Sequence, residues 1–140
     1  MPTDEELAAH LGRVDLFSEC DDFQLKLIAH RATRVSVPAG EAFIRAGGGG
    51  DELFLILDGS AEVRRDGMPV GTVRAGDHVG ELAVLSPAPR SADVVALEPV
   101  QAAAISRDAL QLVLHTTPTV ADRLLSHLAA RVRSVTPGTD

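Results

Sequence analysis

Aromatic side chains are scarce in this chain of 140 residues, which has four Phe, no Trp and no Tyr. A site that needs an aromatic cage, a Trp cap or a Tyr acid is therefore excluded, and a planar ligand would pack against aliphatic or Arg side chains. Cysteine is scarce as well. Cys20 is the single one, which excludes an intramolecular disulfide and a cysteine-based metal cluster. Its acidic neighbours raise the pKa of a thiol, so a structural or incidental role is expected.

Neither a secretory leader nor a membrane-spanning run is expected from this sequence. No apolar run approaches the roughly 20 residues of a span, and the first ten residues, MPTDEELAAH, are acidic. The net charge of −7 makes nucleic acid and anionic membrane surfaces poor partners, because both repel an acidic protein. A small phosphate ligand remains compatible, since one buried Arg can dominate its own pocket. A soluble cytoplasmic protein is the expectation.

The length and the 45% hydrophobic content fit one domain with a sizeable core. Helix signals stand at both ends of the chain. Thr3 with Glu6 reads as a capping box for a helix to about Leu11, and Asp21 with Gln24 precedes a second helix that ends near His30 or Arg31. Between the terminal regions, short β-branched runs alternate with Gly turns, the clearest being Asp66-Gly67.

Two further helices follow the strands. Ser106 or Asp108 caps the first, from about Ala109 to His115, and Pro118 begins the second, which reaches about Arg133. A stripe on this last helix is expected to pack on the core, with a dimer or partner surface as the alternative: Ala121, Leu125, Leu128 and Val132. The predicted fold is mainly β (α+β), an eight-stranded antiparallel β-roll or jelly roll with N-terminal helices and two C-terminal helices. Residues 1–135 are expected to form one domain and 136–140 a flexible tail.

One segment interrupts the pattern of short strands and turns, and it contains side chains suited to ligand binding. Residues 80–92 read GELAVLSPAPRSA, with small residues at both ends, one carboxylate and one Arg. A short helical turn after Gly80 presents free backbone N–H groups to an anion, and the prolines direct Arg90 back towards that turn. The planar guanidinium of Arg90 suits a phosphate. Glu81 accepts hydrogen bonds only and so suits hydroxyl donors such as a ribose.

This segment resembles the phosphate-binding cassette of the cyclic nucleotide-binding domain family. The resemblance extends from about Leu16 to Arg133, including the stretches VPAGE at 37–41 and GDELFLIL at 50–57. It implies that Glu81 binds the ribose 2′-hydroxyl and that Arg90 binds the cyclic phosphate. It places the remaining cassette walls at Gly80, Leu82, Ala83, Ser91 and Ala92. It also implies that the last helix closes over the base as a lid, with Leu128 and Arg131 as candidate base contacts.

The resemblance implies a non-enzymatic regulatory module with cAMP as ligand and cGMP as the alternative, because Ser91 is compatible with either base. Nothing after the last helix suggests an output domain, so we expect signalling through a partner in trans or through self-association. The alternative is a nucleotide-free domain of the same fold that acts as an interaction module, in which Glu81 and Arg90 would form a structural salt bridge.

Other chemistries have weak sequence support. The run Gly47 to Gly50 lacks the Lys-Ser/Thr pair and the helix of a P-loop, so a plain flexible loop is expected. No His-x-His pair occurs, so a catalytic metal is disfavoured, and His78 is expected at the pocket rim or the surface. No Gly-x-Ser-x-Gly elbow marks a nucleophile.

Overall fold

The computed structural model describes residues 2–80, 90–123, 125 and 126. The predicted tail, and with it the domain limit at residue 135, lies outside these residues. Within them the chain begins with helix α1 (Asp4–Gly12), a 3-10 turn (Asp15–Phe17) and helix α2 (Asp22–Arg31). Thr3 accepts a hydrogen bond from the backbone N–H of Glu6, and Asp21 forms a full capping box with Gln24. Both helix starts predicted from the sequence are therefore confirmed.

The described part of the chain contains eight strands: β1 (Thr33–Val37), β2 (Ala42–Ile44), β3 (Glu52–Asp58), β4 (Ser60–Arg65), β5 (Met68–Arg74), β6 (His78–Val79), β7 (Asp93–Ala96) and β8 (Val100–Ser106). They form two four-stranded sheets, ordered β1-β8-β3-β6 and β2-β7-β4-β5, in which every pair is antiparallel. The predicted eight-stranded antiparallel roll is confirmed.

The hairpin between β4 and β5 turns at the predicted dipeptide. Asp66 has φ 54° and Gly67 has φ 78°, the two left-handed conformations that a tight primed turn requires. The return strand begins at Met68, and a bulge interrupts the pairing of β4 with β5 between Val63 and Arg64.

Strand β3 separates two hydrophobic cores. Leu53 and Leu55 face the helices, whereas Phe54 and Ile56 face the interior of the roll, and all four are buried. Strand β8, which pairs with β3, divides its side chains in the same way. A continuous apolar run is what a strand covered on both faces needs, so the sequence interpretation of this run is confirmed.

Helix α3 (Arg107–Thr116) begins at Ser106, whose side chain accepts a hydrogen bond from the N–H of Ala109. Ser106 rather than Asp108 is thus the cap. Residues 118–123, 125 and 126 are helical, as predicted for the last helix. None of the helices in the described ranges is long and apolar enough to cross a membrane.

The expected packing of the apolar stripe on the core is wrong at Leu125, whereas the alternative, a partner or dimer surface, stays a prediction. This side chain is 58% exposed, whereas Val120 is fully buried in the core beneath the helices. Five helical positions correspond to a rotation of about 140°, so Leu125 points away from the face on which Val120 packs.

Candidate functional site

The backbone of Arg90 is held by the glycine loop, residues 47–50. The N–H of Gly47 donates to the carbonyl oxygen of Arg90 over 2.8 Å, and the N–H of Arg90 donates to the carbonyl oxygen of Gly48 over 3.0 Å. This loop is therefore a fixed partner of the predicted phosphate-binding residue. The sequence interpretation as a plain flexible loop missed that role, because the two segments lie far apart in the chain.

The side chain of Arg90 is held as well. Its Nη2 donates to the carbonyl oxygen of Glu52 over 2.9 Å, and its Cζ lies 6.0 Å from the ring centroid of Phe54. Burial lowers the pKa of this guanidinium, and the carboxylates of Glu52 and Asp51 partly oppose the effect. Because the ordinary pKa of Arg is above about 12, the group stays charged at neutral pH.

Two glycines let the backbone approach this guanidinium. At Gly80, where φ is +90°, a Cβ atom would lie 2.8 Å from Arg90 Nη1 and 2.8 Å from the carbonyl oxygen of Glu52. At Gly50, where φ is +127°, a Cβ atom would lie 3.3 Å from Arg90 Nη2. Contacts below 3.0 Å are not tolerated, so residue 80 must be glycine for Arg90 to occupy its position.

A cavity of about 260 Å³ opens beside the guanidinium. Its polar lining residues are Arg90, Arg45 and Glu52, and its apolar wall includes Phe43 and Phe54, whose rings meet edge to face at 5.4 Å. The remaining lining residues are Ala42, Ile44, Gly48 and Gly49. A fixed guanidinium at the edge of a half-apolar cavity can bind an anionic group of a small ligand by charge-assisted hydrogen bonds.

The other predicted cassette residues divide into two groups. Ser91 is exposed and Ala92 half-buried where they lead from Arg90 into β7, and Asp93 anchors this segment by accepting a hydrogen bond from the N–H of Ala46 over 2.7 Å. Glu81, Leu82 and Ala83 lie outside the described residues, as do the candidate base contacts Leu128 and Arg131. The structure thus brings Gly80 and Arg90 together, and the other assignments stay predictions.

Comparison with the sequence models of protein families shows which family contains this chain. The sequence model of the family described as "Cyclic nucleotide-binding domain" matches residues 34–117, more than half of the chain. The chain belongs to the cyclic nucleotide-binding domain family. The resemblance inferred from the cassette sequence is therefore confirmed.

Two relatives of this cyclic nucleotide-binding domain are named as regulatory proteins. A cAMP-dependent protein kinase regulatory subunit of Emericella nidulans is 36% identical over 108 residues, which are 76% of this chain and 26% of the relative. A CRP-like cAMP-activated global transcriptional regulator of Mycobacterium tuberculosis is 27% identical over 128 residues, which are 88% of this chain and 57% of the relative. The chain thus spans about a quarter of the kinase regulatory subunit and somewhat over half of the transcriptional regulator.

A solved structure shares the fold. That of cAMP-bound PfPKA-R superposes with a TM-score of 0.85 at 26% identity, covering 94% of this chain and 46% of the other. The shared fold therefore extends beyond the roll to the flanking helices in the described part of the chain.

Three observations concern side chains that suit other chemistries. The described ranges contain no group of three or more His, Cys, Asp or Glu side chains placed to hold a metal ion. His78 lies in β6 and pairs with Leu55 of β3. Burial, with a smaller contribution from the charge of Asp21, raises the pKa of Cys20 to about 11. The direction expected from the acidic neighbours is confirmed, although burial is the larger cause.

Sequence reasoning missed Glu52 as a component of this site. Its carbonyl oxygen orients Arg90, and the residue lines the cavity. One local signal was present, since Glu52 opens a strand whose next four residues are buried and is separated from the glycine loop only by Asp51.

Proposed function

We propose that this domain binds a cyclic nucleotide, with cAMP as the ligand and cGMP as the alternative, and acts as a regulatory sensor. The observation that carries the proposal is the fixed guanidinium of Arg90, held against Gly80 at the edge of a ligand-sized cavity. The relatives named as cAMP-dependent and cAMP-activated regulators support cAMP as the ligand.

In this proposal Arg90 binds the cyclic phosphate and Glu81 accepts a hydrogen bond from the ribose 2′-hydroxyl. The cassette walls are Gly80, Leu82, Ala83, Ser91 and Ala92. Arg90 already makes backbone hydrogen bonds to the glycine loop and a side-chain bond to the carbonyl of Glu52. A group that is ordered before binding loses little entropy when the ligand arrives, which favours affinity.

Base recognition is assigned to the last helix, through Leu128 and Arg131. The chain lacks Trp and Tyr, so in this proposal the last helix contributes an aliphatic and a guanidinium group, while Phe43 and Phe54 line the cavity. The hydroxyl of Ser91 is compatible with either adenine or guanine nucleotides.

Calorimetric titration with cAMP and cGMP tests the proposal. Arg90→Ala should weaken binding by more than about tenfold, because it removes a charge-assisted hydrogen-bond donor. Arg65→Ala is a matched control, since it removes the same charge from an exposed position at the far end of β4. Absence of binding to both nucleotides would refute the sensor and favour a nucleotide-free interaction module instead.

The ribose role of Glu81 needs a separate titration. Glu81→Ala should weaken the binding of cAMP more than that of 2′-deoxy-cAMP, since the latter lacks the hydroxyl donor. An equal loss for both ligands would refute the role assigned to this carboxylate.

Signal output is assigned to the C-terminal helices, acting on a partner in trans or through self-association. The last helix is attached to the N-terminal region. Arg123 pairs with Asp15 at 2.7 Å and with Glu19 at 3.1 Å, and the amide of Gln24 donates to the hydroxyl of Thr117. A ligand that favours one arrangement of these contacts shifts the helix population by its difference in affinity for the two states.

Hydrogen exchange tests the output. Addition of cAMP should slow amide exchange in the segment 107–126, and Arg123→Gln should reduce the difference between free and bound protein, because it removes both ion pairs. Exchange in this segment that is unaffected by a bound nucleotide would contradict the assigned output without affecting the binding proposal.

A further inference from the structure

Glu52 brings a carboxylate to the side of the roll that holds the Arg90 guanidinium. It is the first residue of β3, its backbone carbonyl accepts the hydrogen bond from Arg90 Nη2, and it lines the 260 Å³ cavity together with Arg90 and Arg45. Successive side chains of a strand alternate between its two faces, so the side chain of Glu52 lies on the same face as Phe54 and Ile56, which is the roll side. An anion that binds Arg90 from this cavity therefore approaches the carboxylate of Glu52 as well.

The charge of this carboxylate reaches the guanidinium. Glu52 is the larger of the two electrostatic contributions that raise the pKa of Arg90 against the effect of burial, and Asp51 is the smaller. Electrostatic interactions decay slowly with distance inside a half-closed cavity, so a phosphate bound to Arg90 is repelled by Glu52 even without contact.

We propose that Glu52 makes the site select a cyclic phosphodiester over a phosphate monoester. This inference rests on the proposed function and adds the specificity of the site. A cyclic phosphodiester carries one negative charge, whereas a monoester carries about −1.5 to −2 at pH 7. Repulsion is proportional to the charge of the ligand, so Glu52 disfavours the monoester about twice as strongly in free energy. Specificity by repulsion of the wrong ligand is a general device in recognition sites.

Calorimetric titration of Glu52→Gln at pH 8 with cAMP and with 5′-AMP tests the selection. The substitution keeps the backbone carbonyl that orients Arg90. Removal of one charge near the phosphate should tighten cAMP binding by about 2- to 5-fold and 5′-AMP binding by about the square of that factor. Glu5→Gln on exposed α1 is the control, because it changes the net charge equally and should leave both affinities unchanged.

A second measurement needs no nucleotide. The Nε–Hε NMR signal of Arg90 is followed during titration with methyl phosphate, a monoester, and with dimethyl phosphate, a diester, at pH 8 and constant ionic strength. Glu52→Gln should strengthen the methyl phosphate response more than the dimethyl phosphate response.

The two measurements separate the inference from the proposed function. If the wild-type protein did not bind cAMP, the nucleotide function would be refuted. If its Arg90 signal nevertheless responded to the two phosphates as expected, the selection by Glu52 would stand. The inference would be overturned if Glu52→Gln strengthened the binding of the monoester and of the diester equally. It would also be overturned if the Arg90 signal responded to neither phosphate in either protein.

Discussion

At the scale of the residue, the site depends on a glycine that leaves room for an arginine. Gly80 combines a left-handed backbone, with φ +90°, and a close approach to both Arg90 and the carbonyl of Glu52. An L side chain is strained in this conformation even without neighbours, and here its Cβ would also overlap the guanidinium. Both the backbone conformation and the close contacts therefore require glycine at residue 80.

Gly80→Ala should lower the free energy of unfolding by about 1–3 kcal/mol and weaken cyclic nucleotide binding, because the new methyl group displaces Arg90. Urea unfolding and calorimetry measure the two effects. Gly71→Ala on exposed β5 is the matched control, since a Cβ there meets no atom within 4 Å. Unchanged binding by Gly80→Ala would contradict the contact between this position and the guanidinium.

The approach of Arg90 to Gly80 was predictable from the sequence, whereas the groups that hold Arg90 were not. The cassette carries a compact local pattern, in which an Arg follows two prolines and precedes small residues. The carbonyl of Glu52 that orients it is 38 residues away, and a backbone acceptor leaves no trace in the identity of its residue. The backbone hydrogen bonds between the glycine loop and Arg90 could not be predicted for the same reason.

At the scale of the element, helix α1 is attached to the following helix and strand by one carboxylate. Asp4 Oδ1 accepts from Arg34 Nη2 of β1 over 2.8 Å, and Asp4 Oδ2 lies 3.0 Å from His30 Nδ1 at the end of α2. The hydrogen bonds to His30 and Arg34 lower the pKa of Asp4 below its ordinary value of 3.8. Folding therefore favours the ionised form of this carboxyl group.

Asp4→Asn should reduce stability near pH 6 and have no effect at the most acidic pH. A carboxyl group whose pKa is lower in the folded state contributes stability above its unfolded pKa, and the contribution is lost as pH falls through the folded value. The difference in Tm between wild type and variant should thus shrink as pH falls below about 3.8. A difference that is constant from pH 6 to pH 2 would show that the charge of Asp4 is not involved.

Elements with strong local signals were predicted and weak ones were not. The caps at Thr3 and Asp21 and the turn at Asp66-Gly67 depend on neighbours within three residues, which the sequence displays. Strand β6 has two residues and exists because Phe54 and Leu55 of β3 pair with it. The exposure of Leu125 depends on which helix face meets the core, and a short stripe of apolar residues does not determine that face.

At the scale of the whole molecule, one sheet joins two cores. The sheet β1-β8-β3-β6 is covered by the helices on one face and by the second sheet on the other. The candidate ligand cavity belongs to the roll side, through Phe54 of β3, whereas helix α3 and the last helix pack on the opposite side through Leu110 and Val120. Strand β3 therefore connects the two sides physically.

This architecture predicts a single cooperative unfolding transition. Leu55→Ala removes a side chain from the helix-side core and Ile56→Ala one from the roll core, and the wild-type side chains are each 1% exposed. Each substitution should lower the free energy of unfolding by about 2–5 kcal/mol, and Ile56→Val, the conservative control, by about 0.5–1.5 kcal/mol.

Because both residues hold the same strand, loss of either core weakens the pairing of β3 with β8 and with it the other core. Chemical unfolding followed by far-UV circular dichroism should show one transition that moves to lower denaturant in both variants. If Leu55→Ala instead separated an early loss of helix from a later loss of sheet, the cores would be independent, and β3 could not transmit ligand binding in the roll to the helices.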